Sequence, residues 1–269
     1  MNSLSDKLKS LGVKVGANHI NPRNNPSSKL VDFLGGHGED TPFGEAFVIE
    51  TFYPCQYRHG RQVLMPASLS LNGLATYLGI ETLINLPLHS FLFLDTETTG
   101  LSIGSGTYPF LIGVGRFVYD HFVLAQFFMR DPIEEPAQLL AVERFLTPCQ
   151  AIVTFNGKAF DIPLINSRFI IHGWQGSPIK EYIHIDLLQL ARRLWRERLT
   201  SRTLSNLEIH VLDTMRSSED IPGWMIPQIY FDYLRFGYIH QLKNVLYHNA
   251  MDILSLVSLF NHTANLLSN

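Results

Sequence analysis

The order of apolar and polar positions along the chain predicts strands first and helices later. Residues 46–53, AFVIETFY, alternate well enough for a strand, and 91–94, FLFL, form a continuous apolar run typical of a buried strand. Two further β-rich runs, at 107–120 and 121–131, predict a hairpin joined at residues 119–121. Three strands are therefore expected in succession after residue 90.

Beyond residue 131 the pattern changes to helical periodicity. EEPAQLLAVERFL predicts a helix with a proline near its start, and AIVTF at 151–155 predicts one more strand. The remainder of the chain reads mostly as helices. The order β-β-β-α-β-α, with helices thereafter, is typical of an α/β domain whose mixed central sheet is flanked by α-helices.

The N-terminal part carries no chemical motif. Residues 1–30 are polar, and NPRNNPSS within them predicts a flexible segment. We place an N-terminal extension at 31–89 and the main α/β domain at 90–269. The extension could lengthen the sheet, recruit a partner or cover a cleft, and its composition does not decide between these roles.

Composition and charge narrow the class of protein. The 269 residues are 46% hydrophobic and 17% charged, which is enough to bury a sizeable core. A net charge of -3 argues against a protein that coats nucleic acid indiscriminately, but it permits a local basic groove. No apolar run of about 18 residues occurs and the N-terminus lacks the centre of a signal peptide, so we expect a cytoplasmic protein without membrane contact. Cys55 and Cys149 are isolated and are expected to be packing residues.

Two acids follow the apolar run of FLFLDTETTGL, residues 91–101. Successive side chains of a strand point to opposite faces, so Asp95 and Glu97 point the same way, about 6 to 7 Å apart along the backbone. Two like charges side by side cost free energy unless they share a proton or a cation lies between them. The pair marks a candidate site at the end of a buried strand.

Two more acids lie in comparable positions. The polar loop NGKAF follows the strand AIVTF, and Asp161 comes at or near the first turn of the next helix, where the helix dipole favours a carboxylate. Asp252 lies at the edge of an apolar helical face in HNAMDILSLVSLF. His248 is four residues earlier, so it shares a helix face with Asp252 at roughly 6 Å if the helix extends that far back.

Three ordered motifs, DTETTGL, FNGKAFD and HNAMDILSL, resemble those of the DEDD, or DnaQ-like, exonucleases on the ribonuclease H-like fold. The chain is similar in particular to the YprB-type branch of that superfamily, through GTYPFLIGVGRF, HIDLLQLARRLWRERL and DIPGWMIPQIYFDYL. The similarity covers about residues 43–262. It implies a ribonuclease H-like fold for nearly the whole chain.

The resemblance also implies a role for each acid. Asp95, Glu97, Asp161 and Asp252 would hold two divalent metal ions, Mg²⁺ or Mn²⁺, because carboxylate oxygens suit these hard cations. One ion would activate a water molecule and the other would stabilise the leaving 3′ oxygen of a phosphodiester. His248 would be the general base that takes the proton from the attacking water.

The spacing of the base departs from the family pattern. The histidine type of DEDD nuclease has its base five residues before the last Asp, and the tyrosine type has it four residues before. This chain has His248 at the tyrosine spacing and Tyr247 at the histidine spacing. We favour His248, since an imidazole accepts a proton near neutral pH whereas a phenol with a pKa of about 10 rarely ionises. Tyr247 stays an alternative.

The resemblance extends to substrate contacts and to function. Thr98, Thr99 and Leu101 would contact the terminal nucleotide, and Asn156 would face the same cleft. The implied activity is 3′-5′ exonuclease cleavage of single-stranded nucleic acid, with DNA slightly favoured over RNA, in DNA repair and with a helicase as an expected partner. Two alternatives stay open: a catalytically weak nucleic-acid-binding partner of a repair helicase, and an endonuclease on the same acids. The motifs do not indicate the oligomeric state.

Three other features have competing interpretations. The segment ARRLWRERLTSR contains arginines that could line a phosphate track, but a solvated basic face with Trp195 in the core is the favoured interpretation. Asp186 is interpreted as a capping or supporting residue rather than a fifth metal ligand. His59, in YRHGR, is interpreted as a turn residue.

Overall fold

A seven-stranded mixed sheet forms the centre of the computed structural model, which describes residues 26–100, 106–147 and 149–268. In chain order the strands are β1 (His37–Thr41), β2 (Gly44–Pro54), β3 (Arg58–His59), β4 (Gln62–Val63), β5 (Phe91–Thr98), β6 (Pro109–Val118), β7 (His121–Phe128), β8 (Ala151–Thr154) and β9 (Ile183–Asp186). The sheet order is β1-β2-β7-β6-β5-β8-β9, and β3 pairs with β4 separately. Only the β5-β8 and β8-β9 pairs are parallel, which confirms the predicted mixed sheet.

Helices cover both faces of this sheet. They are α1 (Pro26–Leu34), α2 (Asn72–Leu78), α3 (Glu135–Leu146), α4 (Asp161–Ile171), α5 (Leu187–Leu194), α6 (Leu204–Leu207), α7 (Ile226–Phe236) and α8 (Leu242–Ser268). A π-helical segment spans Glu208–Leu212, and single 3₁₀ turns lie at Glu81–Asn85, Leu88–Ser90, Pro132–Glu134 and Gly223–Met225. Among the described residues, none of the helices combines the length and apolar character needed to cross a bilayer.

The central strand β5 is apolar on both sides because both of its faces are covered. Phe91 and Phe93 pack in one core cluster with residues of α8. Leu92 and Leu94 pack in a second cluster, with residues of α3 and α4. A strand buried on both faces is expected to read as a continuous apolar run, which is the pattern that predicted it.

The predicted hairpin is β6-β7, and its turn is tighter than expected. Val118 pairs with His121, so only Tyr119 and Asp120 form the turn, and Tyr119 adopts a φ of 52°. His121 belongs to the strand rather than to the turn. The helix predicted at EEPAQLLAVERFL and the strand predicted at AIVTF are confirmed as α3 and β8.

The interpretation of His59 was wrong by one residue. His59 ends β3, and the turn lies at Gly60, whose φ is 62°. The imidazole is only 6% exposed, and its Nε2 lies 2.8 Å from the Ser255 hydroxyl on α8. Burial against α8, rather than a turn on the surface, explains this histidine.

The N-terminal extension lengthens the sheet. Strand β2 pairs along its length with β7, and β1 pairs with β2 at the outer edge. The β3-β4 pair and α2 pack against α8. The boundaries at 30 and 89 stay predictions, and the predicted flexible segment lies largely outside the described residues. Cys55 and Cys149 are buried and free, as expected for packing residues.

Candidate metal centre

The end of β5 places two carboxylates on one face of the sheet. Asp95 and Glu97 lie opposite Gly113 and Leu111 of the neighbouring strand β6. Glu97 is 9% exposed and Asp95 is partly buried. Thr96, between them, points away and donates its hydroxyl to Asp161 Oδ1 at 2.5 Å. The strand ends here because the pairing with β6 becomes irregular at Glu97 and Thr98.

The other two acids reach the same place from two helices. Asp161 is the first residue of α4 and is buried, and Asp252 lies on α8, one turn after His248. Ligand atoms of Glu97, His248 and Asp252 all lie within 4.8 Å of one another. The structure therefore brings Glu97, Asp252 and His248 together, and Asp161 lies close enough for its charge to act on Asp95 and Glu97.

The carboxyl groups raise each other's pKa. Burial, followed by the charges of Asp252, Glu97 and Asp161, raises the pKa of Asp95 well above its ordinary value. Burial, followed by the charges of Asp252 and Asp161, does the same for Glu97. Burial raises the pKa of Asp161 to about 6, although the hydrogen bond from Thr96 opposes the shift. The negative charges are therefore concentrated in a poorly solvated space.

A buried amide chain holds Asp95 in place. Asn249 is fully buried on α8 and donates from Nδ2 to Asp95 Oδ2 at 3.0 Å. Its Oδ1 accepts a hydrogen bond from Gln126 Nε2 at 2.9 Å. Gly113 makes room for this contact, since a Cβ on Gly113 would collide with the Asn249 amide.

Arg216 contributes a cation to the site, and no sequence motif predicted it. Its guanidinium donates to Asp252 Oδ1 and lies 3.3 Å from His248 Nδ1. Two bonds of 2.8 and 2.6 Å attach it to Glu208, which is 2% exposed. Ser255 donates its hydroxyl to Glu208 Oε1 at 2.6 Å. A rigid Arg-carboxylate fork thus orients the guanidinium towards Asp252.

His248 is oriented by a second residue that sequence reasoning missed. Its Nδ1 lies 2.8 Å from Asp220 Oδ1, and its Nε2 lies 3.6 Å from Asp252 Oδ2. A proton on Nδ1 satisfies Asp220 and leaves the Nε2 lone pair directed at the acids. Tyr247, the alternative base, instead accepts a hydrogen bond from Ser217 N at 2.9 Å through its hydroxyl. Of the two, His248 is therefore the residue in the acidic cluster.

The part of the chain that forms most of the sheet and the acidic cluster matches a known protein superfamily. The model of the RNase H superfamily matches residues 92–264, more than half of the chain. The chain belongs to the RNase H superfamily. The predicted ribonuclease H-like fold is thereby confirmed.

Two individual proteins are similar to this RNase H superfamily member. The uncharacterized protein YprB of Bacillus subtilis (strain 168) is 35% identical over 247 residues, which are 84% of this chain and 59% of that protein. The chain therefore spans about three fifths of that relative's length. The family B DNA polymerase of the hyperthermophilic archaeon Pyrobaculum calidifontis is 14% identical with a TM-score of 0.49, over 80% of this chain and 28% of the polymerase.

The donor set of this RNase H superfamily protein fits the divalent metal ions that the fold typically uses. Hard carboxylate oxygens are the ligands that such ions prefer. Asp95 and Glu97 contact no cationic side chain among the described residues, and their pKa values are raised by burial and by the neighbouring acids. A divalent ion would remove this electrostatic cost, because it supplies the missing positive charge.

Of the described residues predicted to contact substrate, only Asn156 lines the cleft beside the acids. Thr98 donates its hydroxyl to Gly100 O at 2.7 Å, and Thr99 N donates to Tyr108 O at 3.1 Å, so both already close the loop after β5. Leu101 lies outside the described residues. Asn156, at a φ of 66°, lines a cleft together with Asp95 and Asp252.

Asp186 is confirmed as a capping residue. Its carboxylate accepts hydrogen bonds from Leu188 N at the start of α5 and from Asn156 N and Lys158 N of the loop before Asp161. One buried acid thus fixes both the helix terminus and the loop that carries Asn156.

Proposed function

We propose that the protein is a metal-dependent nuclease that hydrolyses phosphodiester bonds, as a 3′-5′ exonuclease on single-stranded DNA or RNA. One observation carries the proposal. Ligand atoms of Glu97, His248 and Asp252 lie within 4.8 Å of one another, and the charges of Asp161 and Asp252 raise the pKa of Asp95 beside them. The exonuclease direction, a part in DNA repair and a helicase partner rest on the resemblance of the three motifs.

The carboxylates are the metal ligands in this proposal. Asp95, Glu97, Asp161 and Asp252 would hold two divalent ions, Mg²⁺ or Mn²⁺. Bound ions would lower the charge of the phosphodiester, activate the attacking water and stabilise the leaving oxygen. Asn249 keeps Asp95 turned towards the other acids, and Thr96 does the same for Asp161.

His248 is the general base. The Asp220 carboxylate keeps the proton on Nδ1, so Nε2 is free to take a proton from the water that attacks phosphorus. Asp220 is a positioning residue, since it acts on the reaction only through the imidazole. Arg216 fixes Asp252, one turn after His248 on α8, through its hydrogen bond to Oδ1.

A second function has one observation in its favour. The Arg216 guanidinium already contacts Asp252, one of the expected metal ligands. A chain in which this contact persists would bind ions weakly at Asp252 and turn over slowly. It would then serve as a nucleic-acid-binding partner rather than as an efficient nuclease.

The test compares parent protein with Asp161→Asn and Asp252→Ala variants on 5′-labelled single-stranded DNA and RNA of one sequence. We expect product ladders with Mg²⁺ or Mn²⁺, none with EDTA, and a loss of at least about 1,000-fold in both variants, as for removal of a catalytic group. Asp213→Asn is the matched control, because the Asp213 side chain is 65% exposed and, among the described residues, forms an ion pair with Arg61 alone.

Each alternative has its own outcome. Cleavage of circular single strands would identify an endonuclease, since a circle has no 3′ end. Binding without product under both ions would favour the non-catalytic partner. Equal cleavage by the parent and the Asp161→Asn variant would sink the proposed mechanism.

A further inference from the structure

A cleft of about 570 Å³ opens directly beside the acidic cluster. Asp95 and Asp252 belong to its lining, together with Phe155 and Asn156. The rest of the lining, which we call the arginine wall, comes from α5 and from residues 200–204. Two of the expected metal ligands line this cleft. A nucleic-acid strand bound in the cleft would therefore have a phosphate at the acidic cluster.

The arginine wall carries two positive charges without an acidic partner among the described residues. Arg192 is exposed on α5, and Arg202 is partly buried in the segment that follows. Among the described residues neither arginine forms an ion pair. Arg202 Nη1 donates to the carbonyls of Leu199 and Thr200 at 2.8 and 3.3 Å, and these neutral partners leave its charge uncompensated.

Hydroxyl groups line the cleft together with the two arginines. Thr200, Ser201 and Thr203 line the same wall. Arginine together with serine and threonine hydroxyls is the ligand set that proteins commonly use for the phosphates of nucleic acids. Phe155 also lines the cleft, and a positive groove with an aromatic ring is typical of sites for single strands.

The location of this charge has an electrostatic reason. Without bound metal ions the carboxylates of Asp95 and Asp252 repel a polyanion, so cations in the same cleft favour the approach of a strand. We propose that Arg192 and Arg202, with the hydroxyls of Thr200, Ser201 and Thr203, bind the phosphodiester backbone of a single strand next to the cleaved phosphate. This inference rests on the proposed nuclease function and identifies where the substrate strand lies.

The other arginines of the segment lie outside the cleft and can be compared with Arg192 and Arg202. Arg193, Arg196 and Arg198 are exposed but do not line the cleft. Trp195 between them is 6% exposed and stacks on His262 at 6.1 Å between ring centroids. The sequence-based interpretation as a solvated face with Trp195 in the core therefore holds for these residues, whereas Arg192 and Arg202 line the cleft.

The test measures binding of a 5′-fluorescein single strand by anisotropy, with Mg²⁺, in an Asp161→Asn background that suppresses cleavage. Arg192→Gln and Arg202→Gln should each weaken binding about 5-fold or more and lower the salt slope by about 0.7, the value for one phosphate contact on a single strand. Arg193→Gln and Arg198→Gln are matched controls and should change affinity less than about 2-fold.

One further variant separates charge from loop structure. Arg202→Lys keeps the charge but loses the guanidinium that bonds the two carbonyls, so it should retain more affinity than Arg202→Gln. If Arg202→Lys and Arg202→Gln bind equally weakly, Arg202 acts on the loop and the phosphate assignment for it is wrong. Circular dichroism of each variant checks that the fold is intact.

The outcomes also separate this inference from the nuclease proposal. Equal affinity for Arg192→Gln and Arg193→Gln would overturn the binding site even if the parent protein cleaves. Lost binding in the cleft variants alone, with a parent protein that never cleaves, would keep the site and remove the nuclease. Equal binding of a duplex of the same sequence would overturn the single-strand assignment.

Discussion

The acidic cluster has two halves that differ in how their charge is compensated. Asp95, Glu97 and Asp161 form what we call the unpaired half, since among the described residues none of them has an ion pair. The hydrogen bonds to Asp95 and Asp161 come from the neutral side chains of Asn249 and Thr96. Asp252 and His248 form the paired half, which contacts Arg216 and Asp220.

This difference indicates where a metal ion matters most. In the paired half the Arg216 charge opposes the effect of burial on the pKa of Asp252. In the unpaired half no cationic side chain forms an ion pair among the described residues. Arg216 also lowers the pKa of Glu97, but burial and the neighbouring acids raise the pKa values of Asp95 and Glu97 well above their ordinary values. We therefore expect metal ions to act mainly on the unpaired half and Arg216 to keep the paired half in position without them.

The largest expected effect comes from removing the built-in cation. Arg216→Met leaves Glu208 buried without its partner, so the free energy of unfolding should fall by about 3 to 5 kcal/mol. Urea unfolding followed by circular dichroism measures this loss. Arg61→Met is the control, because its pair with Asp213 is exposed and should be worth less than about 1 kcal/mol.

A comparison variant shows whether the effect is special to the site. Arg168 forms a similar fork with buried Glu135 on α3, outside the acidic cluster. Arg168→Met should lower stability comparably but leave the Mn²⁺ affinity of the folded protein unchanged. If Arg216→Met unfolds no more easily than Arg61→Met, the paired half does not depend on Arg216.

Removal of one carboxylate charge should change stability differently in the two halves, and this effect is smaller. Asp161→Asn removes a charge from the unpaired half and keeps an oxygen for Thr96, so the metal-free protein should become more stable by about 1 to 2 kcal/mol near neutral pH. Asp252→Asn should bring no such gain, because it weakens the bond to Arg216. Thermal and urea unfolding in EDTA measure both changes.

The sign of the pH dependence follows from the same residue. The pKa of Asp161 is raised from 3.8 to about 6, so the native protein binds this proton more tightly than the unfolded chain does. Ionised Asp161 therefore lowers the free energy of unfolding. This loss is fully present above about pH 6, and it disappears as the pH falls from about 6 to about 4. Asp161→Asn should lack this part of the pH profile. A gain in stability that is equal at about pH 5 and about pH 8 would contradict the assignment.

The residues of the unpaired half were predictable from the sequence, as were Asp252 and His248 of the paired half. Asp95 and Glu97 follow a buried strand, and Asp161 begins a helix, so their positions depend on local patterns that the chain shows directly. Because parallel strands β5 and β8 end at one edge of the sheet, residues that follow them meet there. The fold was predictable for the same reason, since the apolar runs and their order define it.

The partners of the paired half were not predictable in this way. Arg216 and Asp220 lie between the π-helical segment and α7, in a stretch without helical or strand periodicity. Their contacts join residues 36 and 28 positions apart, which no local pattern encodes. The contact of Asn249 was only weakly indicated by the sequence. Gly113 lies inside a strand, and a glycine there indicates that another group approaches the backbone closely.

A further prediction concerns the orientation of the base. Asp220→Asn weakens the hold on His248 Nδ1, so kcat should fall about 10-fold or more, as for other residues that orient a catalytic group. The Mn²⁺ affinity should not change, since Asp220 is not an expected ligand. His248→Ala should reduce kcat further, and Asp220→Asn should have little additional effect in that background. Full additivity of the two changes would mean that Asp220 acts independently of the imidazole.

The smallest expected effect is the pH dependence of stabilisation by metal ions. Ions bind to deprotonated carboxylates, and protons held by Asp95, Glu97 and Asp161 compete with them, because burial and neighbouring charges raise these pKa values. Mn²⁺ should therefore raise the free energy of unfolding by about 1 kcal/mol more at about pH 7.5 than at about pH 6. Asp95→Asn should reduce this difference, whereas Asp213→Asn should not. An equal gain at both pH values would place the ion away from the unpaired half, on groups that carry no competing proton in this range.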